Sequence, residues 1–223
     1  MGGMQSTVPQ PSLLAVCRVH ALVGDSGTMG TTAIDKRPID GAVAVGEWGV
    51  YGDVQADRKH HGGLSKAVYA YAQEDADFWA SKLSREVSPG LFGENLRTSG
   101  IDVSGAVIGE RWQIGDSLVL EVASPREPCG TFKRRMKETA WVSRFTAEAR
   151  PGAYLRVVVP GEIAAGDSIR VSDVPAHGVT VARWFSAATT ADAEALLAAH
   201  ESGRHPLVPE MRAALDKAIV AGR

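Results

Sequence analysis

Residues 153–172 read AYLRVVVPGEIAAGDSIRVS and decide the class of the fold. Three apolar runs of strand length are separated by two turns, one at Pro160-Gly161 and one at Gly166-Asp167. Residues 111–123, RWQIGDSLVLEVA, repeat this design as a hairpin whose turn is Gly115-Asp116. Short, frequent strands joined by such turns favour a closed or nearly closed β-barrel over a parallel sheet.

Three earlier segments predict further strands, and one predicts a helix. The strand candidates are LLAVCRVH at 13–20, GAVAVGEWGV at 41–50 and KAVYAYA at 66–72. A helix is expected at roughly residues 73–86, because Phe78, Trp79 and Leu83 recur at helical spacing. We therefore expect a mainly β fold, a barrel with a few peripheral helices.

The composition changes beyond Pro175, where the chain becomes rich in Ala and Leu. Met211, Leu215 and Ile219 fall on one helical face, and Thr189 or Thr190 is a suitable N-cap. This texture predicts a small all-α C-terminal extension. The expected organisation is a flexible N-terminus at 1–12, a barrel domain at 13–174 and a helical extension at 175–223.

The overall composition is that of a soluble globular protein, with 44% apolar and 22% charged residues. No apolar run approaches the roughly eighteen residues of a membrane span, and no signal peptide opens the sequence. A net charge of −2 does not predict a nucleic-acid or membrane partner. Cys17 and Cys129 are too far apart to indicate a disulfide framework, so we expect reduced thiols and a cytoplasmic location.

Residues 121–135, EVASPREPCGTFKRR, place Cys129 in an unusual setting. Pro125 and Pro128 stiffen the chain before the cysteine, and a cluster of cations follows it. Nearby cations lower the pKa of a thiol, and the thiolate is the form that acts as nucleophile or metal ligand. Cys129 is therefore a candidate functional residue, whereas Cys17 lies in an apolar run and is expected to be a small core residue.

Three loops add candidate groups, each of which has a simpler explanation as surface or turn. Residues 52–63, GDVQADRKHHGG, concentrate charge and histidine before two glycines that permit close approach of a ligand. Residues 34–41, IDKRPIDG, place two cations before a proline, where they either bind an anion or are simply exposed. Residues 92–96, FGENL, contain Glu94, a carboxylate that would need a partner if buried.

Taken together and in this order, four segments resemble the MOSC family, named for the C-terminal domain of molybdenum-cofactor sulfurase. They are GDVQADRKHHGGLSKAVYAY, LFGENLRTSGID, GDSLVLEVASPREPC and RPGAYLRVVVPGEIAAGDSI. The similarity runs from about Ala15 to Val174, and the C-terminal stretch is similar to the short three-helix extension of bacterial stand-alone members. The resemblance implies a β-barrel with the cysteine of the PRxPC motif in a cleft.

The same resemblance implies that the protein binds molybdenum cofactor (molybdopterin) or carries its sulfur. Related members reduce N-hydroxylated bases with external redox partners. The implied partners are thus a small N-hydroxylated substrate and an electron-donor protein. The oligomeric state stays open, and a homodimer is one of the states it leaves open. Pyridoxal phosphate is not expected, because it belongs to a different domain of the sulfurase.

Carried over by position, Cys129 would be the molybdenum ligand or the persulfide carrier. Asp53, His61, Gly62 and Gly63 would line the site, and Glu94, Asn95 and Arg126 would support it. The cofactor phosphate would need cations, for which the candidates are Lys36, Arg37, Arg58 and Lys59. His60 or His61 could act as the general acid in N–OH reduction.

One position departs from the resemblance. Many stand-alone members follow the cysteine with an aromatic residue and then a lysine, whereas Gly130 and Thr131 follow it here. The nearest lysine is Lys133, so a role for a lysine directly after the cysteine does not transfer to this chain.

Three functions compete at this stage. The first is a molybdenum-cofactor-dependent oxidoreductase that reduces N-hydroxylated nucleobases or related compounds. The second is a non-redox sulfur carrier that uses a Cys129 persulfide. The third, a zinc or iron hydrolase using Asp53, Asp57, His60, His61 and Cys129, lacks a His-x-x-x-His pair.

Overall fold

A computed structural model describes residues 10–27, 30–55, 62–203 and 207–221. The strands in these ranges are β1 Ser12–Gly24, β2 Thr31–Pro38, β3 Val43–Gly46, β4 Gly49–Val50, β5 Val68–Ala72, β6 Leu96–Ser99, β7 Arg111–Ile114, β8 Leu118–Pro125, β9 Ala153–Val159, β10 Gly161–Ile163 and β11 Ile169–Asp173. The helices are α1 Gln73–Leu83, α2 Gly130–Met136, α3 Trp141–Ala147, α4 Val181–Ala187, α5 Thr190–Glu201 and α6 Pro209–Ala221, with a 3₁₀ turn at Leu64–Lys66.

Eight strands form one mixed sheet in the order β11-β7-β8-β9-β5-β6-β1-β2. The β5–β6 pair is parallel, and its neighbours in the sheet pair antiparallel. The predicted hairpin at 111–123 is confirmed as β7 and β8. A small second sheet has the order β10-β3-β4, so β10 leaves its neighbour β9 and pairs with β3 instead.

Backbone hydrogen bonds join the start of β1 to the start of β11 and bring the large sheet back onto itself. Leu13 N donates to Asp167 O at 2.9 Å, and Ile169 N donates to Pro11 O at 2.8 Å. Gly166 N also donates to Leu13 O at 2.7 Å. Closure removes most of the exposed edge of a sheet, and the predicted mainly β, barrel-like class is confirmed.

Strand β5 separates two hydrophobic clusters. Val68, Ala70 and Ala72 belong to the barrel interior, whereas Tyr69 and Tyr71 point to the opposite face. On that face an aromatic cluster is packed beneath the helices that flank the barrel, and its other large members are Trp79, Phe92, Phe132, Trp141 and Phe145. Edge-to-face aromatic pairs such as these add about 0.5–1.5 kcal/mol each beyond the apolar area that they bury. The alternation of tyrosines with small apolar residues in β5 therefore reflects two different hydrophobic clusters, one on each face of the strand.

Two parts of the barrel domain differ from the sequence prediction. Residues 41–50 form the hairpin of β3 and β4 rather than one strand. Gly49 has a φ of 107°, and a Cβ there would lie 2.1 Å from Ala67 O, so the glycine is required at this bend. Helices α2 and α3 were not predicted, because each contains only seven residues and gives a weak periodic signal.

The C-terminal segment is helical, as the sequence predicts. Thr189 caps α5, and Asp192 completes a capping box with it. Met211 and Leu215 are buried and belong to the same hydrophobic cluster as the barrel interior. The division of the chain at residue 175 stays a prediction. Among the described helices, none has the length and apolar character needed to cross a membrane.

Candidate functional site

A cavity of about 320 Å³ opens beside Cys129, between the β1–β2 end of the sheet, strands β5 and β9, and helix α2. Its described wall combines a thiol, several cations, aromatic rings and hydroxyl groups. The wall residues include Asp25, Thr31, Thr32, Lys36, Gln55, Lys66, Tyr69, Phe92, Asn95, Arg126, Cys129, Thr131, Arg134 and Tyr154. A volume of this size suits a small ligand or an organic cofactor.

Cys129 reaches the cavity because β8 ends at Pro125 and α2 begins at Gly130. The cysteine is the N-cap of that helix in an extended conformation, and its carbonyl accepts a hydrogen bond of 3.0 Å from Lys133 N. The Cys129 side chain is partly exposed. It forms no disulfide bond with Cys17, the other cysteine among the described residues. Cys17 is fully buried, as predicted, and burial raises the pKa of its thiol to about 12. The two thiols are therefore chemically distinct.

Arg134 bridges α2 to the loop that follows β1. Its Nε and Nη2 atoms each donate to the Asp25 carboxylate at 2.5 Å, and Thr131 Oγ1 donates to the same carboxylate at 2.9 Å. The hydrogen bonds from Arg134 lower the pKa of Asp25 to about 2. The pKa of Arg134 is raised, chiefly by its bond to Asp25 and to a smaller extent by negative charge on Cys129. A cation close to Cys129 favours its thiolate.

Asp53 holds two wall residues from behind. Its Oδ2 accepts from Lys36 Nζ at 2.6 Å and from Asn95 Nδ2 at 2.8 Å, while its Oδ1 accepts from Val19 N at 2.8 Å. Asn95 Oδ1 in turn accepts from Tyr69 N at 3.2 Å. The network fixes the directions of Lys36 and Asn95, and it neutralises the charge of Lys36.

Arg126 is a buried cation in the cavity wall, with 4% of its surface exposed. Its guanidinium carbon lies 3.8 Å from the centroid of the Phe132 ring and 5.9 Å from that of Tyr69. Its Nη1 donates to the carbonyl of Glu127 at 3.3 Å. Stacking on Phe132 stabilises the charge and fixes the plane of the guanidinium.

Tyr69 and Tyr154 form a paired aromatic wall. They are cross-strand partners in β5 and β9, and their ring centroids are 5.4 Å apart. Burial raises the pKa of both phenols, whereas the charge of Arg126 lowers each of them to a smaller extent. Both side chains are therefore neutral at physiological pH and keep their O–H donors. Tyr69 donates its own to Pro151 O at 2.8 Å.

Glu94 lies outside the described cavity wall, and its contacts are those of a residue that stabilises the fold. The carboxylate is fully buried and pairs with the fully buried Arg97, whose Nε donates to Glu94 Oε1 at 3.1 Å. It also accepts from Gly90 N at 2.8 Å and from Phe92 N at 3.0 Å. The expectation that a buried Glu94 needs a partner is thus confirmed. The ion pair of Glu94 and Arg97 stabilises the 87–94 loop and does not face the cavity.

The structure brings some predicted site residues together and separates others. Lys36, Asn95, Arg126 and Cys129 line one cavity, and Asp53 lies behind them. Arg37 lies on the other face of β2, with 59% of its side chain exposed and its Nη2 3.4 Å from Asp35. Gly62 is buried, and Gly63 N donates to the wall residue Gln55 at 3.0 Å. Arg58, Lys59, His60 and His61 lie outside the described residues.

The described ranges contain no group of three His, Cys, Asp or Glu side chains that could hold a metal ion by themselves. Asp53, which the hydrolase hypothesis uses, is engaged by Lys36, Asn95 and a backbone N–H. Asp57, His60 and His61 of that hypothesis lie outside the described residues.

Several wall residues were missed by the sequence interpretation. Tyr69 and Tyr154 meet through strand pairing between segments far apart in the sequence, which residue spacing does not reveal. Arg134 had a signal, because it belongs to the basic cluster after Cys129. Its partner Asp25 had none, since it lies in the β1–β2 loop, more than a hundred residues before Arg134 in the sequence.

The model of the MOSC domain family matches residues 57–170 of the chain. The uncharacterized protein YflK of Bacillus subtilis (strain 168) is 33% identical over 150 residues, which are 67% of each chain. Protein YiiM of Escherichia coli (strain K12) is 30% identical over 161 residues, which are 69% of this chain and 71% of YiiM. These are similarities over most of both partners.

A protein named reductase from Gibberella moniliformis (strain M3125 / FGSC 7600) is 33% identical over 175 residues, which are 76% of this chain and only 31% of that protein. Among solved structures, YiiM from Geobacillus stearothermophilus superimposes with a TM-score of 0.71 at 22% identity, covering 94% of this chain and 99% of the other. That structural likeness supports the fold assignment.

Proposed function

We propose that this chain, which belongs to the MOSC domain family, binds molybdenum cofactor and reduces N-hydroxylated nucleobases or related N–OH compounds. The observation that carries the proposal is the partly exposed thiol of Cys129 in the wall of a cavity of about 320 Å³. A simple turn at the PRxPC segment would not require this thiol to face a cavity. The wall of that cavity also contains four cationic side chains, Lys36, Lys66, Arg126 and Arg134.

The wall residues fit the chemical groups of the cofactor. Cys129 offers one soft sulfur ligand, which suits a metal whose remaining ligands come from an organic dithiolene. Arg126 and Lys36 offer cationic donors for a phosphate, and Asn95 offers an amide. Among the described residues, Cys129 belongs to no group of three metal-binding side chains. A metal that is held mainly by the dithiolene needs only one protein ligand, so this arrangement agrees with the proposal.

Reduction of an N–OH group to an N–H group consumes two electrons and two protons and releases water. When bound, the cofactor would supply the electrons through its metal. The protein would bind the metal through the Cys129 thiolate, which the charge of Arg134 stabilises. Tyr154 remains a neutral O–H donor and can hydrogen-bond to a ligand oxygen, while His60 or His61 is the proposed general acid.

The proposed reaction also requires an electron donor. A separate electron-transfer protein is the proposed partner of this chain, and a small N-hydroxylated compound is the proposed substrate. The similarity to a fungal protein named reductase supports a redox role. This chain spans 31% of that relative, so the activity of the longer protein is not transferred to this chain as a whole.

The test compares the two cysteines, since each serves as the control for the other. Wild type, Cys129→Ser and Cys17→Ala are purified from a host that makes molybdenum cofactor. Molybdenum per chain and reduction of 6-hydroxylaminopurine by a chemical electron donor are then measured. We expect wild type and Cys17→Ala to contain molybdenum and reduce the substrate, and Cys129→Ser to lose the reduction. Wild-type protein that contains molybdenum but reduces no N–OH compound would contradict the reductase proposal.

A sulfur carrier is the second candidate, and the partial exposure of Cys129 favours it, because a persulfide must be accessible to its acceptor. Loading by a sulfurtransferase should then add about 32 Da, the mass of one sulfur atom, and a thiol reductant should remove it. Intact-mass measurement of wild type, Cys129→Ser and Cys17→Ala decides this. Absence of the adduct in wild type after loading would eliminate this candidate.

A further inference from the structure

The charges around the cavity are not balanced equally. Lys36 is paired with Asp53 at 2.6 Å, and Arg134 is paired with Asp25 through two bonds of 2.5 Å. Lys66 is also in the wall, with its Nζ 5.9 Å from the centroid of the Tyr154 ring. Arg126 differs from Lys36 and Arg134. Within the described parts of the chain, no carboxylate lies within salt-bridge distance of its guanidinium, although 96% of the residue surface is buried.

The recorded contacts of Arg126 do not substitute for a counter-ion. Phe132 covers one face of the guanidinium at 3.8 Å, and that contact uses the π face rather than the N–H donors, which lie in the plane. Nη1 donates to the neutral carbonyl of Glu127 at a long distance of 3.3 Å. The guanidinium also hydrogen-bonds to the phenol of Tyr154, which is neutral as well. The Glu127 side chain is exposed and forms no ion pair with Arg126 within 4 Å. Partial burial raises the pKa of its carboxyl, and the charge of Arg126 lowers it to a smaller extent. A buried charge normally has a partner of opposite sign.

We propose that Arg126 is the main anion-binding group of the cavity and holds a phosphate or carboxylate group of the bound ligand. A planar guanidinium presents a fork of donors that matches two oxygens of such a group. Phe132 and Tyr69 hold the fork in place before the ligand arrives, so little side-chain freedom is lost on binding. The inference deepens the proposed function by assigning the ligand's charged end to Arg126, and it rests on that function only for the choice of cavity.

This assignment changes the order of the phosphate candidates. Lys36 already has its charge satisfied by Asp53, and Arg37 lies on the other face of β2. Arg126 is buried, oriented and lacks a carboxylate partner among the described residues. It should therefore contribute more to anion affinity than either of the two cations in the IDKRPIDG segment.

Binding of inorganic pyrophosphate to the full-length, cofactor-free protein tests the proposal without any activity assay. The affinity of wild type, Arg126→Gln, Arg126→Lys and Arg170→Gln is measured by isothermal titration calorimetry at fixed ionic strength. Arg170 is an exposed arginine of β11 outside the described wall, so Arg170→Gln is a matched control. We expect Arg126→Gln to bind roughly tenfold or more weakly. The Arg126→Lys variant should fall between it and wild type, and Arg170→Gln should bind like wild type.

The proposal is overturned if wild type binds no pyrophosphate at millimolar concentration, or if Arg126→Gln binds it as well as wild type does. Circular dichroism and urea unfolding identify variants that fail to fold. If Arg126→Gln does not fold, Arg126→Lys decides, because it keeps the charge and loses the fork. An affinity of Arg126→Lys equal to that of wild type would then contradict bidentate binding.

The anion can belong to the cofactor or to an acidic substrate, and a second titration separates these sources. Metal-free molybdopterin is titrated into wild type and Arg126→Gln. A tenfold loss of molybdopterin affinity in the variant assigns Arg126 to the cofactor phosphate. Unchanged molybdopterin affinity together with lost pyrophosphate affinity assigns it to the substrate. Both readings survive failure of the reductase proposal, because neither measurement involves electron transfer.

Discussion

Arg134 and Asp25 form a two-bond ion pair that ties the helix after Cys129 to the loop after the first strand, with both N···O distances at 2.5 Å. Thr131 joins the same carboxylate. Gly27 leaves the room that the pair needs, since a Cβ there would lie 2.8 Å from Arg134 Nη2. The pair therefore positions one rim of the cavity from two distant parts of the chain.

The first prediction concerns the pH dependence of this pair. The pKa of Asp25 is lowered from 3.8 to about 2, mainly by the hydrogen bond from Arg134. A carboxylate with a lowered pKa in the folded state stabilises the protein above its unfolded pKa, and that stability is lost as pH falls through the folded value. Wild type should therefore exceed Asp25→Asn in stability at pH 6, and the difference should shrink between pH 4 and about pH 2. Urea unfolding across this range measures it.

Asp216→Asn is the control for that experiment. Asp216 pairs with Arg212 on the exposed surface of α6, and its side chain is 57% exposed. Exposed pairs of this kind contribute little, so Asp216→Asn should follow wild type closely at every pH. A stability difference between wild type and Asp25→Asn that stays constant with pH would show that the carboxylate charge is not involved.

A second prediction separates the two thiols by reactivity. Iodoacetamide at pH 8 should label Cys129 in the native protein and leave Cys17 unlabelled, because Cys17 is fully buried and burial raises the pKa of its thiol to about 12. Both should react in urea. Peptide mass mapping gives the labelled positions, and native labelling of Cys17 at the rate of Cys129 would contradict the described packing.

The buried ion pair of Glu94 and Arg97 gives a third prediction. Both side chains are fully buried, so Glu94→Ala leaves an uncompensated charge and should reduce the free energy of unfolding by about 3–5 kcal/mol. The double variant Glu94→Leu with Arg97→Met removes both charges and should recover part of that loss. Urea unfolding of Glu94→Leu, Arg97→Met and the double variant measures the coupling between the two side chains. A cost below about 1 kcal/mol for Glu94→Ala would exclude the structural role that its contacts indicate.

A fourth prediction uses Asp53 to test the charge balance of the cavity. Asp53→Asn removes the negative charge from Lys36 while keeping a side chain of the same shape. The Lys36 ammonium would then attract anions, so pyrophosphate affinity should increase several-fold. Calorimetric titration of Asp53→Asn and of the double variant Asp53→Asn with Lys36→Met checks this. Equal affinities of the single and the double variant would show that Lys36 does not face the anion.

The sequence was informative wherever the signal was local. The β7–β8 hairpin follows from alternation around Gly115-Asp116, and the N-cap at Thr189 follows from residue type. The prediction that Cys129 is no ordinary core residue agrees with its place in a cavity wall, and this signal also came from its immediate neighbours.

The parts that were missed depend on contacts between distant segments. Tyr69 and Tyr154 become one wall only through the register of β5 and β9. Lys36 and Arg37 are adjacent and chemically alike, yet one faces the cavity and the other the exterior because side chains alternate along β2. The sequence could not rank these cations, since the neutralising carboxylate of Lys36 comes from a separate loop.

Strand β5 is packed on both of its faces, and this limits how its length can change in evolution. Its odd-numbered tyrosines build the aromatic cluster and the cavity wall, and its even-numbered residues fill the barrel. Insertion or deletion of a single residue would exchange the two faces, placing tyrosines in the barrel interior and small apolar residues in the cavity wall. Packing on both faces therefore fixes the length of this five-residue strand. Length variation among homologues should be confined to the surrounding loops.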